Sequence, residues 1–209
     1  MISRFISFEG IDGSGKSTQI KLLTDWLDKK NIEFIVVREP GSSKISENIR
    51  DILLDKKNTN LSPEAESFLF LSARSQLVHE IIKPALALNK YVICDRFIHS
   101  TVAYQGYGRG LNIDLLNSMN DMALNSISLK HTFLLDIDVK DALKRRIFIE
   151  EDRMEKSGKK FMHKVRLGYL ELQKRNPNSI TLLNAAHNEN KIFIQIKSKL
   201  RSMFGELND

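Results

Sequence analysis

Eight residues near the start of the chain, 10–17, constrain its fold more than any other segment. They read Gly-Ile-Asp-Gly-Ser-Gly-Lys-Ser, which is the spacing of a phosphate-binding loop. A short, mostly apolar segment, 4–9, precedes the loop, and Ile20, Leu23 and Leu27 follow it at helical spacing. The pattern therefore predicts a strand, a glycine-rich loop and a helix whose N-terminus faces an anion.

Each part of this loop has its own chemical task. The glycines allow backbone conformations that a Cβ atom would forbid, so the N–H groups can turn inward towards phosphate oxygens. Lys16 can reach the terminal phosphates of a nucleotide, and the Ser17 hydroxyl can hold Mg²⁺. We therefore expect a nucleoside triphosphate to contact the loop, which consists of Gly10, Ile11, Asp12, Gly13, Ser14, Gly15, Lys16 and Ser17.

The composition narrows the class of protein. The 209 residues, 42% of them hydrophobic, suit one α/β domain spanning 1–209. The sequence contains no apolar run of membrane-spanning length and no signal-peptide pattern, and Cys94 is its single cysteine. We therefore expect a cytoplasmic protein with no membrane contact. The net charge of +6 comes from basic residues spread along the chain among acids, which favours an anionic nucleotide substrate over a nucleic-acid partner.

Beyond the loop, apolar segments that resemble strands alternate with segments of helical spacing. The predicted strands are 4–9, 32–37, 91–95, 132–136 and 180–183. The predicted helices include 45–54, one from Ser62 to Ile82 or beyond that Pro84 kinks or ends, one capped by Asp114, and 141–148, 161–175 and 189–203. The alternation predicts a five-stranded, mostly parallel sheet with helices on both faces, the three-layer α/β/α arrangement of a P-loop NTPase.

Charged residues follow several of the predicted strands. Arg38, Asp95 and Arg96 stand at such ends, where ligands of parallel sheets bind. A guanidinium can bind two phosphate oxygens at once, and the Asp95 carboxylate can hold Mg²⁺ directly or through water. The loop and the strand ends therefore predict one site for phosphoryl transfer.

Two other segments lack clear periodicity. Residues 100–110 combine three glycines with aromatic and amide side chains, which suggests a flexible loop that reads a planar base; a glycine-rich surface loop is the alternative. Residues 148–160 are polar and charged, which favours a mobile lid that closes over phosphates; a solvated loop is the alternative.

Several short motifs follow the phosphate-binding loop in a fixed order over residues 1–175. They are Arg38-Glu-Pro-Gly41, Ala73-Arg74-Ser-Gln76, Asp95-Arg96-Phe97, Ala103-Tyr-Gln-Gly106, Asp152-Arg153 and Tyr169-Leu-Glu171. In order and spacing they resemble the thymidylate kinase family, and Arg-Glu-Pro-Gly and Ala-Tyr-Gln-Gly are far more specific than the loop alone. The resemblance implies transfer of the γ-phosphoryl group of ATP to dTMP in dTTP biosynthesis, and a homodimer.

The resemblance also implies site residues. ATP and Mg²⁺ would lie against Lys16, Ser17 and Thr18, with Asp12 organising the metal from the acceptor side. In the dTMP pocket, Arg38 and Arg96 would hold the phosphate and Phe70 would stack on thymine. The remaining roles would fall to Arg74 and Ser100 at the base edge, Tyr104 under the sugar and Gln105, which completes the pocket.

Two departures from the common family pattern bear on these roles. Ser42 and Ser43 replace the usual Gly-Thr after Arg-Glu-Pro-Gly, and the Ser43 hydroxyl can replace that of threonine. Position 13 is glycine and not arginine, so the chain resembles the subgroup whose catalytic arginines lie in the lid.

The lid sequence itself differs from the usual bacterial Arg-Gly-Glu-Leu-Asp-Arg. The chain reads Phe148-Ile-Glu-Glu-Asp-Arg153, so the usual first arginine is absent. Arg153 is therefore the predicted catalytic cation of the lid, beside Lys16, Arg38 and Arg96, and Arg145 or Arg146 is the second choice.

Two other functions remain as alternatives. A kinase for another nucleoside monophosphate, such as dUMP, dGMP or dCMP, would share the loop and the strand ends. A nucleotide-dependent switch or DNA-associated ATPase is a different class. A GTPase switch needs Asn-Lys-any-Asp after a strand, and neither Asn89-Lys90 nor Asn190-Lys191 is followed by that Asp.

Overall fold

The structure, a computed structural model, describes residues 3–146 and 153–208 and contains one five-stranded sheet. The strands are β1 Phe5–Glu9, β2 Phe34–Arg38, β3 Tyr91–Asp95, β4 His131–Asp136 and β5 Ile180–Asn184. Their order across the sheet is β2-β3-β1-β4-β5, and each neighbouring pair is parallel. The predicted sheet is confirmed, and the connections between parallel strands are the helical crossovers that such pairing requires.

The helices alternate with the strands as the sequence pattern predicts. They are α1 Lys16–Lys29, α2 Lys44–Leu54, α3 Pro63–Leu77, α4 Lys83–Ala87, α5 Ile98–Thr101, α6 Ile113–Leu124, α7 Val139–Lys144, α8 Gly158–Arg175 and α9 Glu189–Met203. Two π-helical segments, Val78–Ile82 and Val102–Gly108, connect α3 to α4 and extend α5. None of the helices in the described ranges is both long and apolar enough to span a bilayer.

Side chains of the central strands alternate between two cores, which explains why helices cover both faces. Tyr91 and Ile93 of β3 pack in one core, and Val92 and Cys94 pack in the other. Because successive side chains of a strand point to opposite faces, an apolar run such as this one is buried on both sides. Leu23 of α1 lies in the first core and Leu77 of α3 lies in the second.

Pro84 does not end the long helix after α3. The π-helical segment Val78–Ile82 precedes it, and Pro84 then stands in the first turn of α4. A proline at this position loses no essential hydrogen bond, because the first N–H groups of a helix need no helical partner. The helical backbone therefore continues to Ala87, in agreement with a helix that runs to Ile82 or beyond.

The glycine-rich segment 100–110 is helical over most of its length, so the prediction of a flexible loop is wrong. Residues 98–108 form α5 and a π-helical turn, and six of the seven residues in that turn are buried. A Cβ atom on Gly108 would lie 2.6 Å from the ring of Phe161 in α8. Gly108 therefore serves close helix packing and not loop flexibility.

Smaller differences concern helix ends and the lid. Asn112, not Asp114, caps α6, because its side chain accepts a hydrogen bond from the Leu115 N–H. Helix α7 ends at Lys144, four residues before the predicted end. Residues 148–152 of the predicted lid lie outside the described part of the chain, and a short 3₁₀ turn at residues 155–157 leads into α8.

Candidate active site

The phosphate-binding loop and the strand ends surround one open cavity, as the sequence predicts. This phosphate cavity, of about 1170 Å³, lies at the carboxyl ends of β1, β2 and β3. Its lining residues include Gly13, Gly15, Lys16, Ser17, Thr18, Arg38, Asp95, Arg96, Arg145 and Arg146. Most of the charged side chains in this set are basic, so the cavity fits a polyanion such as a nucleotide phosphate chain.

Three glycines of the loop adopt positive φ angles that residues with a Cβ atom rarely adopt. Gly10, Gly13 and Gly15 have φ angles of +134°, +82° and +95°. Lys16 Nζ lies across the loop and donates to the backbone oxygens of Gly10, at 3.1 Å, and Ile11, at 3.3 Å. Burial, with the nearby Arg96 charge, lowers the pKa of Lys16 from its usual value. The Asp12 carboxylate lies 3.8 Å from Nζ, and an incoming phosphate would add further negative charge beside this buried ammonium.

Arg96 connects the loop to β3 through a short ion pair. Its Nη2 donates to Asp12 Oδ1 at 2.6 Å, and its Nη1 donates to the Gly10 oxygen at 3.0 Å. Burial opposes ionisation of Asp12, but the charges of Arg96 and Lys16 outweigh burial and lower the pKa of Asp12. Arg96 also has a φ of +69°, an unusual conformation for a non-glycine residue that is typical of functional sites.

A second cavity, of about 600 Å³, adjoins the first and is called the inner cavity below. Its walls are partly aromatic, with Phe70 and Tyr104 among them. Asp12 and Arg96 line both cavities, as do Glu39 and Arg50, so ligands in the two cavities would meet beside this ion pair. The predicted acceptor residues that line the inner cavity are Asp12, Phe70, Arg74, Arg96, Ser100, Tyr104 and Gln105.

Ser100 is held by a buried carboxylate that sequence reasoning missed. Glu9, fully buried at the end of β1, accepts from Ser100 Oγ at 2.6 Å, Tyr169 OH at 2.9 Å and the Phe97 N–H at 2.8 Å. Burial raises the pKa of Glu9 even though these donors oppose the shift. Because Ser100 donates its proton to Glu9, its oxygen faces other partners as an acceptor.

Arg74 is almost fully buried and held from two directions. Its Nε and Nη2 donate to the Glu39 carboxylate at 2.5–3.1 Å. Its Nη1 donates to Thr101 Oγ1, at 2.9 Å, and to Asn120 Oδ1. These contacts leave one N–H of Nη2 for a ligand in the inner cavity.

Two arginines differ from the predicted acceptor set: one lies outside the inner cavity, and the other was not predicted. Arg38 lies only in the phosphate cavity, is about half exposed and donates to Glu47 Oε2 at 2.9 Å. Arg50, which sequence reasoning missed, lines both cavities and donates to the Pro40 oxygen at 2.8 Å. Arg50 lies on α2 and not at a strand end, so only the three-dimensional packing brings it to the site.

Arg153 does not line the phosphate cavity. Its Nη1 lies 2.8 Å from Glu66 Oε2, and its Nε donates to the Leu53 oxygen at 2.6 Å. Arg145 and Arg146, the second choices for the catalytic cation, do line that cavity. In this conformation the predicted lid cation is therefore bound elsewhere.

Asp95 offers the clearest opening for a metal ion. Its Oδ1 is buried and has no hydrogen-bond partner among the described residues. Asp95 and Ser17 line the same cavity, and the described part of the chain contains no cluster of three or more His, Cys, Asp or Glu. A few oxygen donors beside phosphate groups suit Mg²⁺, which keeps several water ligands.

The sheet order, the loop and the paired cavities define a P-loop phosphotransferase with a donor side and an acceptor side. A family model described as thymidylate kinase matches residues 8–196, and the chain belongs to that family.

Comparisons with individual proteins agree with this assignment. The chain is 44% identical to the thymidylate kinase of Kosmotoga olearia over 92% of each chain. It is 46% identical to that of Thermoanaerobacter sp. X514 over 88% of this chain and 90% of the relative. The crystal structure of thymidylate kinase from Ehrlichia chaffeensis superposes with a TM-score of 0.78 at 33% identity, covering 95% of this chain and 98% of that one.

Gly13 provides a direct test of the loop geometry. A Cβ atom at this position would lie 2.5 Å from the backbone oxygen of Ala142 in α7, so the loop has no room for a side chain there. We expect Gly13→Ala to lower the free energy of unfolding by about 2 kcal/mol or more, because both the positive φ and the contact oppose it. Thermal unfolding measures this, with Gly205→Ala as control, since Gly205 faces open space. Equal destabilisation by the two changes would contradict the geometry.

Proposed function

We propose that this chain transfers the γ-phosphoryl group of ATP to the phosphate of dTMP, giving ADP and dTDP. The observation that carries the proposal is the pair of cavities that meet at Asp12 and Arg96. A donor phosphate chain in the loop would then face the phosphate of an acceptor whose nucleoside part occupies the inner cavity. Holding two reactants in this way removes much of the entropic barrier to their reaction.

The protein's part in the transfer is to position phosphates and offset their charge. We propose that the loop N–H groups and Lys16 bind the ATP phosphates, with Ser17 and Thr18 at the start of α1. Arg38 and Arg96 hold the acceptor phosphate. Arg96 supports this role by its fixed orientation against Asp12, which keeps the guanidinium in place before a ligand arrives.

We propose that Mg²⁺ binds with ATP between Ser17 and Asp95, with Asp12 nearby. The unpartnered Asp95 Oδ1 and the Ser17 hydroxyl are oxygen donors of the kind that Mg²⁺ prefers. The ion, when bound, would neutralise charge on the phosphate oxygens. Asp12 remains ionised through its pairing with Arg96 and so keeps its negative charge available to the site.

For the acceptor base we propose a sandwich of aromatic and polar contacts. Phe70 stacks on thymine, and Tyr104 packs under the sugar, where it disfavours a 2′-hydroxyl. The remaining N–H of Arg74 donates to a carbonyl oxygen of the base. Ser100, whose proton goes to Glu9, accepts a hydrogen bond, and Gln105 completes the pocket.

We also propose that the protein forms a homodimer, as the family resemblance implies. The neighbouring helices α3 and α6 carry large apolar side chains on their outer surfaces. Phe68, Leu115 and Met122 are each more than half exposed. Exposed apolar side chains of this size on adjacent elements support a protein contact there.

A comparison of acceptors tests the proposed reaction most simply. ADP release should be fastest with dTMP and much slower with dUMP, dGMP or dCMP. Lys16→Ala should lower turnover about 100- to 1,000-fold, because it removes a charge aimed at the transferred group. A coupled ADP-release assay measures both effects.

Two results of that assay would favour other functions, and a third would change a residue's role. Faster turnover with another monophosphate would assign a different nucleotide kinase. ATP hydrolysis that needs no monophosphate but is stimulated by DNA, with steep salt dependence, would assign a DNA-associated ATPase. Near-normal turnover of Lys16→Ala would remove the assigned role of that residue.

The identity of the lid cation needs a comparison of variants. We propose Arg153, which would have to leave Glu66 and the Leu53 oxygen to reach the phosphates. Arg153→Ala should then lower kcat on the order of 100-fold with a smaller change in the KM for dTMP. Steady-state kinetics of Arg145→Ala and Arg146→Ala provide the comparison. A larger kcat effect at either of these residues, with only lost stability in Arg153→Ala, would place the cation beside α7.

A further inference from the structure

A buried carboxylate on α3, Glu66, is contacted by three polar side chains from two other segments of the chain. It is 1% exposed and lies in the first turn of the helix. Gln105 Nε2 donates to its Oε1 at 3.0 Å, and Arg109 donates to both oxygens at 3.1–3.2 Å. Arg153 Nη1 lies 2.8 Å from its Oε2. None of the motifs of the sequence analysis contains Glu66, and the proposed transfer does not use it.

The two arginines keep this carboxylate charged. Burial opposes ionisation of Glu66, but hydrogen bonds from Arg109 and Gln105, with the Arg109 charge and Arg153, outweigh it and lower the pKa of Glu66. An ionised carboxylate can only accept hydrogen bonds. Whatever approaches Glu66 must therefore present a donor.

This restriction fixes the orientation of the Gln105 amide. The side chain of Gln105 is 2% exposed and lines the inner cavity. Its NH₂ end must face Glu66, so its carbonyl oxygen faces away from Glu66. Among the described residues, no hydrogen-bond donor contacts that oxygen. Since the Gln105 side chain lines the inner cavity, this oxygen can accept a hydrogen bond from a ligand that carries a donor there.

We propose that Glu66 is a specificity-determining residue for the acceptor base, acting through Gln105. By holding the amide in one orientation, it presents a hydrogen-bond acceptor to the base edge. Thymine has an N3–H donor at that edge. Cytosine has only a lone pair on N3, so two hydrogen-bond acceptors, this nitrogen and the Gln105 oxygen, would face each other. The inference rests on the proposed function, since it takes the base in the inner cavity to be thymine.

Arg74, which also lines the inner cavity, is held by a buried carboxylate in the same way. Glu39 fixes the Arg74 guanidinium, which presents a donor to the cavity. A donor from Arg74 beside an acceptor from Gln105 matches the O4 and N3–H groups of thymine. Cytosine has the opposite pattern, with a donor in its 4-amino group and an acceptor at N3. Neither group could bond to its protein partner, so each contact would leave a buried polar group unpaired.

Glu66→Gln tests the inference because glutamine keeps the shape but adds a donor. The Gln105 amide could then turn over and present its NH₂ to the base. We expect kcat/KM for dTMP and dUMP, which share the N3–H, to fall together by about tenfold or more. The kcat/KM for dCMP should be unchanged or higher. If turnover of dCMP is too slow to measure, the inhibition constant of dCMP against dTMP phosphorylation is compared instead.

Three further variants separate orientation from general damage. Aspartate at position 66 can still only accept hydrogen bonds. In Glu66→Asp, the ratio of kcat/KM for dTMP to kcat/KM for dCMP should therefore stay near that of the unmodified protein. Arg109→Lys weakens the ion pair with Glu66 but leaves the Gln105 amide in the same orientation. This variant should therefore also keep the ratio of the two kcat/KM values. Glu64→Gln, on the exposed side of the same helical turn, should change nothing.

Equal losses for dTMP, dUMP and dCMP in Glu66→Gln would show a merely structural role and overturn the inference. If that variant does not fold, Gln105→Met, which has similar length and no hydrogen-bonding group, decides. In Gln105→Met, the ratio of kcat/KM for dTMP to kcat/KM for dCMP should fall. An unchanged ratio would overturn the inference. Failure of the unmodified protein to phosphorylate dTMP would instead remove the proposed function itself.

Discussion

The ion pair between Arg96 and Asp12 is the contact on which the rest of the site depends. It joins the end of β3 to the phosphate-binding loop after β1, two segments that are neighbours only because β1 and β3 pair in the sheet. It also marks the boundary that the two cavities share. Since the Arg96 and Asp12 side chains are only 16% and 31% exposed, movement of either would break the pair and leave the other charge partly uncompensated. The point where donor and acceptor would meet is therefore set before any ligand binds.

The acceptor side of the site repeats one design, a cavity side chain held from behind by a buried carboxylate. Such support keeps a binding group within a few tenths of an ångström of its working position. It also decides which end of a polar group faces the cavity, because a carboxylate only accepts hydrogen bonds. The three pairs are Ser100 with Glu9, Arg74 with Glu39, and Gln105 with Glu66.

Sequence patterns predicted the elements that depend on local interactions. The strands, the loop and most helices follow from apolar spacing and glycine positions, and the motifs located most of the cavity-lining residues. The exceptions depend on packing between distant segments. Gly108 looked like part of a flexible loop, but it lets α8 approach closely. Arg50 and Glu66 carry no sequence signal of their own, because their roles come from partners on other elements. Arg153 is the opposite case: its motif suggested the phosphates, and its contacts in this structure lie elsewhere.

The central claim is that donor and acceptor bind in adjoining cavities that meet at Arg96 and Asp12. A compound that joins adenosine to thymidine through a chain of phosphates would fill both cavities at once. Calorimetric titration should show that it binds far more tightly than ATP or dTMP alone, and that saturation with either nucleotide weakens it. Binding no tighter than ATP, or competition with only one of the two nucleotides, would contradict the claim that the cavities form one continuous site.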